Sequence, residues 1–278
     1  MSGAEPSDFT SSPWSDLADA ALEAAQTVPT MLTPREQKLY FWLTSVWAKG
    51  AGATVDLGSF AGGSTARLAE GHRAAGRATV THAFDRFTAD EDVKARVLYK
   101  SGIAPFEGSD IFPLAQDLLA PWGRSIVFHR GEIEHMNWNS GPIEILVMDA
   151  SKAAKTADKM AETFFPHLIP GRSVVVQQDY LHWSQPWVPA QMERLADHFR
   201  PCAHERRDTV VFLCTSAPTA EQVRAAATSD LNDSALDECL SSAIVRLTPW
   251  DIAPQLEDMR AALAANPGKR RAFEFTRP

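Results

Sequence analysis

Short apolar segments rich in β-branched residues alternate with longer amphipathic segments along the central part of the chain. Apolar runs bounded by turn residues predict buried strands, and the longer segments between them predict helices. Strands that alternate with helices indicate an α/β domain with a mostly parallel sheet. The predicted strands lie within residues 53–60, 78–85, 125–131, 144–150, 173–180 and 209–215, and helices are predicted within 151–168 and 188–199.

The segment before the first strand predicts a helix over residues 33–50. Thr33 and Glu36 have the spacing of a capping box, and Pro34 occupies the first helical position. Gly50 provides a residue that can end the helix. Upstream, residues 15–28 have helical periodicity, and the residues up to about Ser15 are predicted to form a disordered tail.

Two changes of pattern occur towards the C-terminus. Residues 202–214 are consistent with a hairpin that adds an antiparallel edge strand to the sheet. From about Ala217 onwards the pattern is helical, which predicts an annex that caps a site or packs on a second subunit. We therefore divide the chain into an N-terminal tail and helix (1–32), an α/β core (33–215) and a helical C-terminal annex (216–278). The expected fold is a Rossmann-like, doubly wound sheet with helices on both faces.

Composition excludes several classes of protein. The chain has 278 residues and a formal charge of −8, and its basic residues form no stripe, which disfavours nucleic-acid binding. Its three cysteines are widely spaced, so neither a zinc site nor a disulfide framework is expected. We see no signal peptide and no apolar run of membrane-spanning length, and therefore expect a cytoplasmic protein without a membrane partner.

The most informative motif is TVDLGSFAGGST, residues 54–65, where a strand runs into a glycine turn and a helix. The dinucleotide fingerprint requires Gly-x-Gly-x-x-Gly, but here Phe60 occupies the place of the second glycine. That glycine lets the backbone approach a pyrophosphate closely, so phenylalanine argues against such a ligand. The chain also lacks a P-loop motif.

The polar residues of this turn favour a different ligand. Asp56 lies on the strand itself, where a carboxylate repels a pyrophosphate but suits an ammonium group. Ser64 and Thr65 open the following helix, where hydroxyls and backbone amides suit a carboxylate. An amino acid joined to a nucleoside has both groups, a description that fits S-adenosylmethionine (SAM).

The stretch VDLGSFAGGST resembles the first motif of class I SAM-dependent methyltransferases, and is most similar to the catechol O-methyltransferase-like and macrolide sugar O-methyltransferase (TylF-like) branches. The resemblance covers about residues 50–215. It implies that the core binds SAM and transfers a methyl group. A structural glycine turn in another α/β protein is the alternative interpretation. The implied cofactor-binding residues of the turn are Asp56, Gly58, Ser59, Phe60, Gly62, Gly63, Ser64 and Thr65.

Further cofactor contacts are expected after the next two strands. Asp85 ends the second strand, where a carboxylate can accept both ribose hydroxyls, although a helix-capping role is the common alternative. The neighbouring Arg86 could line the adenosine pocket or simply pack in the loop. The resemblance places Gly131, Glu132 and Ile133 on the adenine side.

The catalytic candidates begin at Asp149, which follows a buried strand, and Lys152, which comes three residues later. The resemblance to the catechol O-methyltransferase branch implies an aspartate that holds a divalent metal and a lysine that acts as the base. A lysine in that role needs its pKa lowered by burial or by a nearby cation. A capping aspartate and a solvated lysine are the structural alternative.

The loop after the fifth strand adds Asp179 and His182. Relatives that bind magnesium usually place two adjacent acceptors here, whereas this chain has Gln178 before Asp179. Asp149 and Asp179 could suffice to hold Mg²⁺, but the missing carboxylate weakens the case, so both a metal-dependent and a metal-independent enzyme are left open. His182 is a second acid/base candidate because an unperturbed imidazole titrates near neutral pH. The nearby Trp183 and Trp187 line the acceptor site or pack the C-terminal helices.

These features predict a SAM-dependent O-methyltransferase that acts on a small-molecule hydroxyl of a sugar, a phenol or a natural-product intermediate. A degenerate SAM-binding module, a SAM-fold enzyme with hydroxylase-like or lyase-like chemistry and, less favoured, an NAD-dependent oxidoreductase are the alternatives. The acidic, helical annex is compatible with a homodimer.

Overall fold

The predicted strands form one seven-stranded sheet in the computed structural model, which describes Phe9, residues 11–205 and residues 207–278. The strand order is β3-β2-β1-β4-β5-β7-β6. The strands are β1 (Ala53–Leu57), β2 (Thr81–Asp85), β3 (Ile126–Arg130), β4 (Ile143–Met148), β5 (Val174–Gln177), β6 (Phe199–Glu205) and β7 (Thr209–Cys214).

The sheet reverses its winding direction beside β1. Strands β1 to β5 pair in parallel, with β2 and β3 on one side of β1 and β4 and β5 on the other. Because the chain moves outwards in both directions from β1 and β4, a crevice opens above their carboxyl ends, where ligands bind in folds of this kind. The predicted hairpin is confirmed, since β7 pairs antiparallel with both β5 and β6.

Helices cover both faces of the sheet, as predicted. The helices are α1 (Glu23–Gln26), α2 (Pro34–Trp42), α3 (Gly63–Ala74), α4 (Glu91–Val93), α5 (Phe112–Leu119), α6 (Ala154–Phe164), α7 (Trp187–Arg194), α8 (Ala220–Ala225), α9 (Asp233–Arg246) and α10 (Ala253–Ala265). Within the described residues, none of these helices has the length and apolar character needed to cross a membrane.

Alternate residues of β4 serve different cores because successive side chains of a strand point to opposite faces. Ile145 and Val147 pack with α2, whereas Leu146 and Met148 belong to the cluster that contains α6 and α7. Both faces are buried, which explains why the strand is continuously apolar from Ile145 to Met148.

The C-terminal annex packs against the same face of the sheet as α6 and α7. Leu240 of α9 and Met259 of α10 are fully buried in the cluster that contains Leu146 and Met148. The annex therefore shares a hydrophobic core with the α/β domain, and its last residues reach the carboxyl edge of the sheet.

The capping box at the start of α2 is confirmed. The Thr33 hydroxyl accepts a hydrogen bond from the Glu36 backbone N–H, and the Glu36 carboxylate accepts one from the Thr33 N–H. The α-helix ends earlier than expected, at Trp42, and continues as a π-helical turn over Leu43–Trp47. Residues 15–28 form only short helical turns rather than one helix.

The prediction of a disordered tail up to Ser15 is wrong for its described part, while residues 1–8 and 10 lie outside the described residues. Phe9 and Trp14 are buried. Phe9 packs on Trp42 and Trp47 at ring-centroid distances of 5.1 and 4.7 Å. The Trp14 indole N–H also donates to Glu205. The segment is polar in composition, but Phe9 and Trp14 hold its described part against the core.

Candidate active site

A cleft of about 1390 Å³ lies at the carboxyl edge of the parallel strands. Its lining brings together nine of the sequence-predicted site residues, which lie at or after the ends of five different strands. They are Gly58, Phe60, Asp85, Arg86, Glu132, Ile133, Asp149, Lys152 and Asp179. The topology therefore collects at one crevice residues that are spread over more than half of the central domain.

Asp56, Ser64 and Thr65 have a different role from the predicted one. Asp56 is fully buried on β1, and its Oδ2 accepts hydrogen bonds from Ser64 Oγ at 2.7 Å and Thr65 Oγ1 at 2.5 Å. Since Thr65 donates to Asp56, the bond of 2.8 Å between Thr65 and Ser59 must have the Ser59 hydroxyl as its donor. None of these side chains lines the cleft, which corrects the expectation of direct contacts with an amino-acid ligand.

The Asp56 carboxylate is incompletely satisfied. Among the described residues, its Oδ1 has no hydrogen-bond partner. Burial raises the pKa of Asp56 to about 6, and the two hydroxyl donors only partly oppose this shift. Asp56 therefore places a buried negative charge near the cleft at neutral pH.

The glycines of the turn are required by packing. A Cβ on Gly58 would lie 2.9 Å from the backbone carbonyl carbon of Asp149, so glycine lets the ends of β1 and β4 approach each other. A Cβ on Gly62 would lie 2.6 Å from the Leu119 side chain, and one on Gly63 would lie 2.4 Å from the Pro29 carbonyl oxygen. Gly62 and Gly63 are outside the cleft, so their predicted contact with a cofactor is replaced by contact with the protein itself.

Asp85 organises the loops on either side of it. Its Oδ2 accepts from the Phe60 N–H at 2.9 Å, and its Oδ1 accepts from the Phe87 N–H at 2.6 Å. Both phenylalanines adopt left-handed backbone conformations, with φ of 51° and 55°, which are strained for residues other than glycine. Burial raises the pKa of Asp85 although these N–H groups favour its ionised form. One carboxylate thus holds two strained positions and still faces the cleft.

Arg86 and Glu132 line the cleft together with Asp85. Their closest approach is 4.0 Å, and both side chains are more than half exposed. Ile133 is buried beside Glu132 and presents an apolar surface to the same region. This end of the cleft combines an apolar surface with exposed charges.

Lys152 lies between two carboxylates. Its Nζ is 3.3 Å from Asp149 Oδ1 and also donates to Asp179 Oδ2. Burial lowers the pKa of Lys152, but the two carboxylates together raise it further, so the net shift is upwards. This direction is opposite to the one that a lysine base needs, so it does not favour the base role of Lys152, which stays a prediction.

Asp149 has the opposite tendency. Burial raises the pKa of Asp149 to about 7, with Lys152 lowering it and Asp179 raising it. A carboxylate that titrates near neutral pH can accept a proton under physiological conditions. The geometry therefore favours Asp149 over Lys152 as the proton acceptor of the site.

Gln178 does not offer its amide oxygen to a metal. Its Nε2 donates to Glu36 Oε1 at 2.8 Å, and its Oε1 accepts from the Tyr40 hydroxyl at 2.7 Å. The orientation of the amide is fixed because a carboxylate only accepts hydrogen bonds. Thr209 Oγ1 also donates to Glu36 Oε1 at 2.7 Å. This buried network joins α2, β5 and β7.

The donor set does not fit a magnesium site. Within the described part of the chain, no group of three or more His, Cys, Asp or Glu residues is arranged to hold a metal ion. The two carboxylates that the resemblance assigns to a metal, Asp149 and Asp179, are both in contact with Lys152. The structure therefore gives no support to the allowed Mg²⁺ cofactor.

His182 lies outside the cleft lining. Its Nδ1 is 3.0 Å from Ser184 Oγ, and its ring is tilted against Trp183. Trp183 and Trp187 contact Phe275 edge-on, and the Trp187 indole N–H donates to the Ser151 carbonyl. The two tryptophans thus pack the C-terminal segment onto the core, which was the second of their two predicted roles.

Sequence reasoning missed the contribution of both chain ends to the cleft. The C-terminal segment pairs with the residues around Lys152, since the Ala154 N–H donates to the Arg270 carbonyl and the Ala272 N–H donates to the Lys152 carbonyl. This pairing brings Phe273 to the cleft, where it is 77% exposed, and Met31 from the N-terminal side is 61% exposed. Only their spatial position identifies them as site residues.

The sequence matches no protein-family model and no curated protein. Among solved structures, the O-methyltransferase NovP matches with a TM-score of 0.53 and 13% identity over 67% of this chain and 82% of that one. The methyltransferase PaMTH1 of Podospora anserina, with bound S-adenosylhomocysteine, matches with a TM-score of 0.47 and 10% identity over 78% of this chain and 98% of that one. The likeness to NovP confirms that this chain has a Rossmann-like fold of the kind found in a methyltransferase.

Proposed function

We propose that this protein is a SAM-dependent methyltransferase that methylates a hydroxyl group of a small molecule. The observation that carries the proposal is one cleft that contains Asp85 at the end of β2 and the Asp149–Lys152 pair after β4. The first can bind the ribose of a nucleoside, and the second can take the proton of an acceptor. The shared fold with an O-methyltransferase supports this combination.

Asp85 has the remaining capacity that a ribose needs. Each of its carboxylate oxygens accepts one backbone N–H, and an ionised carboxylate has about four acceptor sites. Two sites therefore remain for the hydroxyl groups of a ribose. The same carboxylate accepts the Phe60 N–H, so a ribose bound at Asp85 would also contact the residue that holds the Phe60 turn at the cleft.

The charges around the cleft favour a cationic ligand over a pyrophosphate. Among the described residues, eight acidic and six basic side chains line it. The acidic ones include Glu36, Asp85, Asp149 and Asp179, and Asp56 is buried nearby. These carboxylates repel the two negative charges of a dinucleotide and attract a sulfonium or an ammonium group. Together with Phe60 in place of the second fingerprint glycine, this lining disfavours an NAD-dependent oxidoreductase.

SAM, when bound, supplies a methyl group on a positively charged sulfur: the acceptor oxygen forms a bond to the methyl carbon while the electron pair of the C–S bond stays on sulfur. The residues of this chain align the acceptor, exclude water and remove its proton. In this site the proton passes from the acceptor hydroxyl to Asp149. The Lys152 ammonium stays charged and stabilises negative charge that develops on the acceptor oxygen.

The acceptor side of the cleft is formed by Phe273 and Met31. Exposed apolar side chains at the edge of a polar cleft favour a ligand with an apolar or aromatic surface. A phenol, a sugar attached to an apolar group and a natural-product intermediate all have such a surface next to a hydroxyl. A small-molecule acceptor, a cytoplasmic location and a homodimeric state are part of this proposal.

The donor is tested by thermal shift of the full chain with SAM, S-adenosylhomocysteine (SAH) and NAD. We expect stabilisation by SAM and SAH and none by NAD. Stabilisation by NAD alone would refute the proposal.

Activity is tested by transfer of labelled methyl from SAM to a panel of phenols and sugars, with Asp149→Ala as the test variant. Asp117→Ala is the matched control because Asp117 is exposed on α5 and does not line the cleft. We expect turnover that is lost only in Asp149→Ala. SAH binding without turnover of any acceptor would favour a degenerate SAM-binding module, and consumption of SAM without methylated product would favour another SAM-fold reaction.

A further inference from the structure

The pair of aspartates at the cleft floor lies on adjacent parallel strands. Met148 at the end of β4 is in register with Gln177 at the end of β5, so Asp149 and Asp179 follow at the same edge of the sheet. Two carboxylates this close repel each other unless a cation lies between them. In this structure, the ammonium of Lys152 provides the positive charge.

Lys152 is held in this place by several contacts. Its Nζ is within ion-pair distance of Asp149 Oδ1 and Asp179 Oδ2. The Lys152 carbonyl accepts the N–H of Ala272, so the C-terminal segment fixes the backbone from which the side chain extends. Asp179 Oδ2 also accepts from Gln185 Nε2 at 2.9 Å, which orients that carboxylate towards the lysine.

We propose that the Lys152 ammonium is the resident cation of the Asp149–Asp179 pair and takes the place of a divalent metal ion. The pair and the lysine together have one net negative charge, which is less than the two negative charges that the pair alone would present to a divalent ion. A divalent ion would have to displace the ammonium before it could reach either of the carboxylate oxygens that contact Lys152.

The residue that would provide a third metal ligand is also occupied. The Gln178 oxygen accepts from the buried Tyr40 hydroxyl, and its amide nitrogen is held by Glu36. Turning the amide would leave the Glu36 carboxylate facing an oxygen and the Tyr40 hydroxyl facing N–H groups. Mg²⁺ requires octahedral oxygen coordination and is usually held by one or two carboxylates with waters. With Gln178 occupied, only Asp149 and Asp179 are left as ligands, and both contact Lys152. The network therefore favours the ammonium over a metal ion.

This inference deepens the proposed function, on which its catalytic consequence rests. With a fixed ammonium at the acceptor site, methyl transfer does not depend on added divalent ions. Ion binding itself can be measured without SAM or acceptor. A failure of the methyltransferase proposal therefore leaves the following test intact.

The test is a titration of Mn²⁺ with the full-length protein, followed by electron paramagnetic resonance of the free ion. The variants are Lys152→Ala, Lys155→Ala, Asp179→Asn and the double variant Lys152→Ala/Asp179→Asn. Lys155 is the matched control because it lines the same cleft and is exposed. We expect Lys152→Ala to bind one Mn²⁺ at least tenfold more tightly than the wild type. Lys155→Ala should behave as wild type, and the double variant should lose the gained site.

Two results would overturn the inference. One is a wild-type protein that binds one Mn²⁺ at least as tightly as Lys152→Ala and loses it in Asp179→Asn. The other is a Lys152→Ala variant that gains no site while its circular dichroism and thermal transition match those of the wild type. If Lys152→Ala does not fold, Lys152→Met keeps most of the aliphatic stem and gives the same comparison.

Discussion

Replacing Gly58 by alanine tests whether the contact between the ends of β1 and β4 positions Asp149. Gly58 has φ of +104°, and the new Cβ would lie 2.9 Å from the Asp149 carbonyl carbon and 3.0 Å from its carbonyl oxygen. The matched control is Gly76→Ala, at φ of +65°, where a Cβ meets nothing within 4 Å. Both variants place alanine at a positive φ, and only Gly58→Ala adds a clash.

The expected loss of stability has two parts, the cost of a positive φ and the cost of the clash. A non-glycine residue in the left-handed region costs about 1–2 kcal/mol, which is the whole effect expected for Gly76→Ala. Carbon atoms pack best at about 3.5–4.0 Å, so Gly58→Ala must also push the two strand ends apart by roughly half an ångström or more. Overpacking of this kind costs about 1–3 kcal/mol. We expect Gly58→Ala to lower the free energy of unfolding by about 2–5 kcal/mol in all.

The measurements are urea unfolding of both variants and single-turnover methyl transfer at saturating SAM. Displacement of a catalytic group by about 1 Å can cost on the order of a hundredfold in rate, so Gly58→Ala should lose tenfold or more in the chemical step. Gly76→Ala should keep the wild-type rate. Equal losses of stability and rate in the two variants would show that the close approach of Gly58 to Asp149 does not position the site.

Four further predictions concern the cleft. Asp85→Asn replaces one carboxylate oxygen by an amide NH₂ group, which then faces a backbone N–H donor. SAH affinity, measured by calorimetry, should therefore fall about tenfold or more, and an unchanged affinity would contradict the role of Asp85. Tyr40→Phe leaves the buried Gln178 oxygen unsatisfied and should cost about 1–3 kcal/mol in urea unfolding, while a loss under ~0.5 kcal/mol would count against the network. A carboxylate accepts a proton only when it is ionised, and burial raises the pKa of Asp149 to about 7. The methyl-transfer rate should therefore rise as the pH increases through 7, and a flat profile from pH 5 to 9 would exclude Asp149 as the base. Phe273→Ala removes an exposed side chain, so stability should change by less than about 0.5 kcal/mol while KM for the acceptor increases, and an unchanged KM would place the acceptor elsewhere.

The features that could be predicted from the sequence are those set by local patterns. The strand positions follow from apolar runs, and all seven observed strands lie wholly or partly within predicted segments. The capping box at Thr33 and Glu36 was also predictable because both hydrogen bonds close within four residues. The end of α2 was not, since the change to a π-helical turn at Leu43 leaves no signal in the local pattern.

The cleft was partly predictable because parallel strands bring their carboxyl ends to one edge. This rule placed Asp85, Asp149 and Asp179 together without any knowledge of side-chain contacts. It could not reveal Glu36, which reaches Gln178 across 142 positions of the chain. It could not reveal Phe273 either, because the pairing of the C-terminal segment with Ala153 and Ala154 depends on how the annex folds back.

The roles of the polar residues were harder to predict than their positions, because a polar group in a turn can meet a ligand or another side chain. In the first turn, Ser64 and Thr65 follow Asp56 by eight and nine positions, and the fold brings the hydroxyls directly onto the carboxylate. A donor on the same chain is always close to its acceptor, whereas a ligand must first bind from solution. Donors and acceptors of one turn therefore bond to each other unless the geometry prevents it. The same reasoning applies to Lys152, whose short sequence distance from Asp149 favours an ion pair over a free base. The residue types of the motif that this chain resembles therefore do not fix each residue's partner, and for that reason we propose Asp149 rather than Lys152 as the base.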